Sequence, residues 1–132
     1  MVHQLQNKGG LYIVDVQFPH KDSAKLHETQ LVLDTGAVMT ILDTDIVDYM
    51  GYSARKDGIH RSALDGAGGR SEGFVIQVPF FKCLGVELHG FEIACHDLDT
   101  KLGVAGLLGM NFLKHFHLDL DFRTGAIQIL PT

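Results

Sequence analysis

The sequence predicts an all-β fold, a closed β-barrel or folded sheet with one or two short helices. Short runs of alternating apolar and polar residues recur at close spacing along most of the chain, as they do in small barrels. The chain has 15 glycines but only 3 prolines, which indicates many tight turns and no proline-rich linker. Helical periodicity is confined to two brief segments, so helix should be a minor component.

The first half of the chain contains three predicted strands. Each is rich in apolar or β-branched residues, and the first two alternate in the way that half-buried strands do. The predicted strands are Leu11–Phe18, His27–Leu33 and Met39–Leu42.

A short helix is predicted over residues 43–51. Asp43 or Thr44 can cap its start with a side-chain oxygen, and Gly51 can end it. The buried face would consist of Ile46, Val47 and Met50.

A glycine-rich hairpin is predicted in the middle of the chain. Its arms are Ile59–Leu64 and Ser71–Val78, and its tip is Asp65–Gly69. The C-terminal third continues mainly as strand, with a helical turn or two at Met110–Phe116 and a turn at Arg123–Gly125. The segment 106–109 precedes the helical turn, and the remaining predicted strands are Val86–Leu88, Phe91–Cys95, Leu118–Phe122 and Ala126–Leu130.

Length and charge exclude several classes of protein. A chain of 132 residues corresponds to one domain, and we predict a single domain over residues 1–132. Hydrophobic residues make up 45% of the chain and charged residues 20%, which excludes a disordered tail. The net charge is −5 and no Lys/Arg cluster is present, so no nucleic-acid partner is expected.

No membrane contact is expected within this segment, and the expected location is cytoplasmic. The longest largely apolar run, Leu102–Leu113, covers twelve residues and is too short to span a bilayer. The first eight residues lack the apolar core of a signal peptide, although a chain cut from behind an anchor or signal would look the same. Cys83 and Cys95 match no zinc pattern, and we expect both to be reduced and buried.

Asp34 is the most informative residue. It interrupts the apolar stretch Leu31–Leu42 and is followed at once by Thr35 and Gly36. A carboxylate at the end of a buried strand is unfavourable unless it is hydrogen-bonded or functional. From these residues alone, a strand-ending turn is the simpler interpretation, and a catalytic acid is the alternative.

Several features occur along the chain in a characteristic order. Asp-Thr-Gly-Ala at 34–37 follows an apolar strand, the glycine-rich hairpin comes some thirty residues later, and the Leu107–Gly109 triplet leads into a Gly-x-Asn helix start and then Leu118–Phe122. In this ordered set the chain resembles the retropepsin (retroviral-type) aspartic protease family, particularly its bacterial single-domain members. The resemblance extends from about Leu11 to Leu130 and implies an aspartic endopeptidase without a metal or other cofactor.

The resemblance also implies roles for individual residues. Asp34 would be the catalytic aspartate, Thr35 would hydrogen-bond across a subunit interface, and Gly36 would permit a tight backbone. Ala37 completes this loop and, unlike a serine, cannot donate a hydrogen bond to the carboxylate. The triplet that would pack beneath the loop is Leu107, Leu108 and Gly109. The flap covering the substrate would be Asp65, Gly66, Ala67, Gly68 and Gly69.

The expected reaction requires two copies of the chain. Peptide hydrolysis by carboxylates needs one group to take a proton from water while another donates one to the carbonyl oxygen. Only one Asp-Thr-Gly is present, Arg123–Ala126 echoes it without the acid, and Asp119 and Asp121 are typical of a solvated strand face. A homodimer that places both Asp34 residues on its twofold axis, with a peptide or protein as substrate, meets the requirement.

Two other interpretations remain open at this point. His115 and His117 could face one way on a strand and bind a metal, but no third ligand stands at a suggestive spacing. The second interpretation is a retropepsin fold that serves only for dimerisation or peptide binding. The intact Asp34–Gly36 motif argues against it, because a binding role does not need the acid. Ser62, Ser71 and the cysteines show no nucleophile–base pattern.

The chain also departs from minimal viral members of this family, in which the terminal strands of the two subunits interleave. Here Ala126–Leu130 adds a hairpin, so the dimer sheet is expected to differ, and the N-terminus can pair differently too. The apolar flanks of Asp34 favour hydrophobic side chains around the scissile bond.

Overall fold

The fold is built mainly from β-strands, as the sequence predicts. The computed structural model describes residues 1–66, 69–98 and 103–130. The strands are β1 (Val2–Gln4), β2 (Gln6–Lys8), β3 (Leu11–Pro19), β4 (Leu26–Leu33), β5 (Ile41–Asp43), β6 (His60–Gly66), β7 (Gly69–Cys83), β8 (Val86–His96), β9 (Gly106–Leu108), β10 (His117–Asp121) and β11 (Ala126–Leu130). The helices are α1 (Thr44–Tyr49), α2 (Ala54–Asp57) and α3 (Met110–Leu113).

Eight strands form one large folded sheet in the order β2-β3-β4-β9-β5-β8-β7-β6. Most neighbours run antiparallel, but β4 pairs with β9 and β5 pairs with β8 in parallel. A short additional pairing of β3 with β7, at Val16–Cys83 and Gln17–Lys82, folds the sheet back on itself. The strand β9 therefore lies between β4 and β5, and the chain must cross β9 when it passes from β4 to β5.

The chain ends form a separate three-stranded sheet in the order β1-β11-β10. β10 and β11 are joined by a turn that includes Arg123–Gly125, as predicted, and β1 pairs with the other edge of β11. The two short N-terminal strands were not predicted from the sequence, because strands of three mostly polar residues show no clear alternation. β1 pairs with β11 within this chain, and the contribution of the terminal strands to a dimer sheet stays a prediction.

Two segments that were predicted as separate strands form one longer strand in the structure. Val86–Leu88 and Phe91–Cys95 are parts of one strand, β8, which pairs with β7 over most of its length. The glycine at position 90 has a φ of 60° and does not break the strand. The break between the two long strands falls instead at Leu84 and Gly85, which both have positive φ.

The first predicted helix is confirmed, and one helix was missed. Asp43 caps α1 by accepting a hydrogen bond from the amide of Asp45, and Gly51 follows the helix with a φ of 92°. The missed helix, α2, is a single turn capped by Ser53. α3 covers only the first part of Met110–Phe116.

The core lies inside the folded sheet. Phe18, Phe81 and Phe112 are fully buried in it, together with aliphatic side chains from β3, β4, β5 and β8. A smaller apolar cluster lies on another face of the sheet and includes Ile41, Val75 and Ala94. In the part of the chain that is described, no helix is long and apolar enough to cross a membrane.

Candidate active site

Asp34 lies directly after β4, at the point where the chain leaves the sheet. Its amide donates a hydrogen bond to the carbonyl of Leu108 on β9 (3.0 Å). Its carbonyl accepts from the amide of Ala37 (3.2 Å), which closes a tight turn. Its carboxylate oxygen Oδ1 accepts from the amide of Gly36 (2.8 Å). The turn predicted from the sequence is present, and it fixes the direction of the carboxylate.

The predicted triplet Leu107–Gly109 underlies this turn. The amide of Met110 donates to the carbonyl of Ala37 (2.7 Å), and that of Asn111 donates to the carbonyl of Val38 (3.1 Å). A Cβ at Gly109 would lie 2.4 Å from the carbonyl oxygen of Met39, so only glycine allows the two segments to approach this closely. Leu108 is fully buried, while Leu107 faces the cleft described below.

A polar network that was not assigned from the sequence supports the far end of the loop. Asn111 Oδ1 accepts from both the amide and the hydroxyl of Thr40, and Asn111 Nδ2 donates to the carbonyl of Glu92 (2.8 Å). The Thr40 hydroxyl in turn accepts from the amide of Gly109 (3.1 Å). Asn111 belongs to the Gly-x-Asn motif noted in the sequence. Nothing in the sequence except its position in a mostly apolar segment indicated a role for Thr40.

The tip of the loop is open to solvent. Thr35 and Gly36 are exposed, Asp34 is half-buried, and the apolar side chain of Val38 is 79% exposed. Gly36 also lies close to the acid, since a Cβ there would be 3.2 Å from Asp34 Oδ1. The loop that carries the acid therefore presents its polar tip and one apolar side chain, that of Val38, to the outside of the chain.

A cleft of about 540 Å³ opens beside Asp34. Asp34 is the one acid among the described residues that line it. Much of its wall comes from the smaller apolar cluster, including Met39, Ile41 and Leu64. The full lining is Asp34, Gly36, Ala37, Val38, Met39, Ile41, Ser62, Ala63, Leu64, Ser71, Ala94 and Leu107.

The arms of the glycine-rich hairpin border this cleft. Ser62, Ala63 and Leu64 on β6, with Ser71 on β7, belong to its lining. Near the tip, Asp65 pairs with Arg70 and Gly66 with Gly69. The other two residues predicted to form a flap, Ala67 and Gly68, lie outside the described residues. The structure therefore brings the hairpin arms to the cleft that holds Asp34.

A second polar group near the cleft was not predicted. His96, at the end of β8, is fully buried, and its ring nitrogens lie within hydrogen-bond distance of Ser62 Oγ (2.8 Å) and Ser71 Oγ (3.2 Å). The three residues are far apart in sequence, so only the strand register reveals the contact. Burial lowers the pKa of His96, and the nearby Asp97 opposes that shift.

The remaining candidate ligands and nucleophiles do not gather at the cleft. Across residues 1–66, 69–98 and 103–130, no three His, Cys, Asp or Glu side chains are placed to share a metal ion. Cys83 and Cys95 are both buried and unpaired with each other. Burial raises the pKa of the Cys95 thiol to about 12 and raises that of Cys83 as well, so neither is a ready thiolate.

Comparison with known proteins places the chain among others of similar sequence and shape. A family model described as aspartyl protease matches residues 21–112. A retropepsin-like aspartic protease from Rickettsia conorii has a similar structure, with a TM-score of 0.67 and 19% identity, over 98% of this chain and 88% of that one. EIAV protease in complex with the inhibitor HBY-793 matches with a TM-score of 0.52 and 25% identity, over 67% of this chain and 76% of that one. No curated protein matches the sequence.

Proposed function

The chain belongs to the aspartyl protease family, with a retropepsin-like fold, and from this premise we propose that it is an aspartic endopeptidase that acts as a homodimer. Asp34 from each copy would supply one carboxyl group to a shared site. The observation that carries the proposal is the single half-buried acid, held by the Gly36 amide in an apolar cleft.

The proposed mechanism uses the two carboxyl groups in different protonation states. Two carboxyl groups that lie close together share one proton, because two like charges at short range repel. The ionised carboxylate takes a proton from water, the water oxygen attacks the peptide carbonyl, and the protonated carboxyl gives its proton to the carbonyl oxygen. In the second half of the reaction, the carboxyl that took the proton from water gives it to the nitrogen, the other carboxylate takes a proton from a hydroxyl of the tetrahedral diol, and the C–N bond breaks. These transfers restore both carboxyl groups to their starting states. No covalent intermediate forms, and no metal ion or other cofactor is needed.

Three features of the open face support assembly as a dimer. Among its described residues, one chain supplies one acid to the cleft, so the chemistry above needs a second carboxyl group. Thr35 is exposed beside Asp34 and is free to hydrogen-bond to the same loop of a second copy. Val38, which is 79% exposed, would be covered by the partner or by substrate.

The cleft also supports a substrate class. Its apolar lining, from Met39, Ile41, Leu64 and Leu107, favours hydrophobic side chains next to the scissile bond. The β6–β7 hairpin, whose tip we assign as the flap, would lie along the extended peptide. Hydrogen bonds from its backbone would hold the peptide in place.

The proposal is tested with a mixed peptide library and two variants, Asp34→Asn and Asp48→Asn. Asp48 is an exposed carboxylate on α1 and serves as the matched control. We expect Asp34→Asn to lose turnover by a factor of about 10³ or more, since the remaining amide can neither accept nor donate the required proton. Asp48→Asn should cleave like the wild type. Binding of library peptides without cleavage by the wild type would instead favour the non-catalytic binding module.

A further inference from the structure

His96 ties together the two arms of the hairpin that borders the cleft. Its ring lies against Ser62 on β6 through Nε2 and against Ser71 on β7 through Nδ1. The ring itself belongs to β8, so three adjacent strands meet at one side chain. The reaction proposed above does not use this histidine in any step.

Gly73 makes room for the ring. Gly73 is the cross-strand partner of Ser62, and a Cβ on it would lie 2.8 Å from two atoms of the imidazole and 2.0 Å from the carbonyl oxygen of Cys95. Any larger residue would push the ring away from β7. The slot over Gly73 lets the imidazole reach across β7 to Ser62, which lies on the next strand.

The chemistry of the three groups is complementary. A neutral imidazole carries one donor nitrogen and one acceptor nitrogen, and a serine hydroxyl can serve as either partner. Both serines can therefore be satisfied at once, whichever tautomer is present. The ring is fully buried, and the two serines that it contacts are half-buried, so both contacts are partly shielded from water.

The same two serines face the cleft. Ser62 and Ser71 belong to its lining together with Asp34, so their positions set the height of the hairpin arms above the acid. We propose that His96 is a positioning residue, which holds β6 and β7 at a fixed separation over the Asp34 cleft and thereby determines how tightly a peptide is bound. This inference rests on the function proposed above, because it assigns a role in that same site.

The first test measures the hairpin arms without any need for activity. The double variant Ser62→Ala/Ser71→Ala removes two hydroxyl groups and leaves the ring in place, so it perturbs folding less than a change at His96. Amide hydrogen exchange in β6 and in the facing part of β7 should speed up by about fivefold or more, the equivalent of one lost hydrogen bond. Exchange in β3 and β4 should not change. Unchanged exchange in β6, or an equal increase in every strand, would overturn the proposal.

The second test separates positioning from general structural support. We expect the double variant and His96→Leu to raise KM for a peptide about 5- to 10-fold with kcat within about twofold, because the hairpin contacts substrate in both ground and transition states. His96→Gln, which keeps one donor and one acceptor, should restore most of the loss. His89→Gln, at an exposed histidine on the same strand, is the matched control.

The two tests also distinguish failure of this inference from failure of the proposed function. A protein with no peptidase activity would contradict the proposed function, and the exchange experiment would still decide whether His96 holds the arms. An active protein whose double variant has an unchanged KM, with or without a lower apparent kcat that follows a lower melting temperature, would contradict the role of His96 alone.

Discussion

Asn111 Oδ1 accepts two hydrogen bonds from Thr40, one from the amide (2.7 Å) and one from the hydroxyl (2.8 Å), although 71 residues separate the two. Thr40 is fully buried, and its hydroxyl also accepts from the Gly109 amide. The amide side chain of Asn111 therefore joins the end of the Asp34 loop to the start of α3. The shape of the loop depends on a partner that lies far away in sequence.

The first prediction concerns this connection. Asn111→Ala would leave the Thr40 amide and the Glu92 carbonyl without these partners at a part-buried position, which should lower the free energy of unfolding by about 1–3 kcal/mol. The measurement is the urea midpoint at constant m-value. Asn7→Ala is the control, since Asn7 Oδ1 accepts from the Gly10 amide in an exposed turn. An equal shift in both variants would show that the buried network contributes nothing special.

The second prediction concerns the proposed dimer. If each active site needs Asp34 from two chains, an excess of Asp34→Asn protein should lower the activity of wild type by forming mixed dimers. With a ninefold excess and free exchange, the wild-type dimer fraction falls and total activity should drop about tenfold. Sedimentation at the assay concentration, with and without a peptide-like inhibitor, measures the dimer directly. An active species that sediments as a monomer would contradict the prediction.

The third prediction concerns specificity. Leu64 lines the cleft and packs with the cluster that contains Ile41 and Ala94. Leu64→Ala should widen the cleft and reduce kcat/KM for peptides with large hydrophobic side chains beside the scissile bond by about 10-fold or more. Peptides with smaller side chains there should lose less. Ala63→Gly, at a neighbouring position in the same lining, provides the comparison, and identical profiles for both variants would place the pocket elsewhere.

The fourth prediction concerns the two thiols. Cys83 and Cys95 are buried, and burial raises the pKa of both, so native protein should react very slowly with a thiol reagent at neutral pH. Both should react at once in denaturant. The reaction rate of the two thiols is measured from the colour released by an aromatic disulfide reagent. Rapid reaction of one thiol in native protein would show that its strand opens easily.

The sequence predicted the parts of the site that depend on local patterns. The turn at Asp34 after β4 and the Leu107–Gly109 segment beside it were predicted because adjacent residues carry the signal, and the roles of these residues in a reaction stay predictions. Thr40 and the contact of His96 with Ser62 were missed, because each depends on strand register across long sequence separations. The folded sheet was predicted from alternation and glycine content. The strands β1 and β2 were not, since each has only three residues, most of them polar, and so few residues show no clear alternation.

The last prediction concerns the stability of the fold at mildly acidic pH. Burial lowers the pKa of His96, and burial together with the nearby His20 lowers that of His27. In the unfolded chain both histidines take up a proton near pH 6.5, whereas in the folded protein they resist it. The unfolded state therefore binds more protons in this range, and the free energy of unfolding should be at its full value above about pH 6.5 and decrease as the pH falls below it.

Asp97 directly follows His96 and opposes the shift of its pKa. Two more acids lie near it in strand register: Asp43, its partner on β5, and Glu72, which precedes Gly73 on β7. Urea midpoints at pH 7, 6 and 5 measure the effect for the wild type, His96→Gln and His27→Gln. Each variant should lose less stability on acidification than the wild type, because a glutamine has no proton to gain. His115→Gln, at an exposed position, should follow the wild type. A wild-type protein that becomes more stable between pH 7 and pH 5 would contradict the predicted sign.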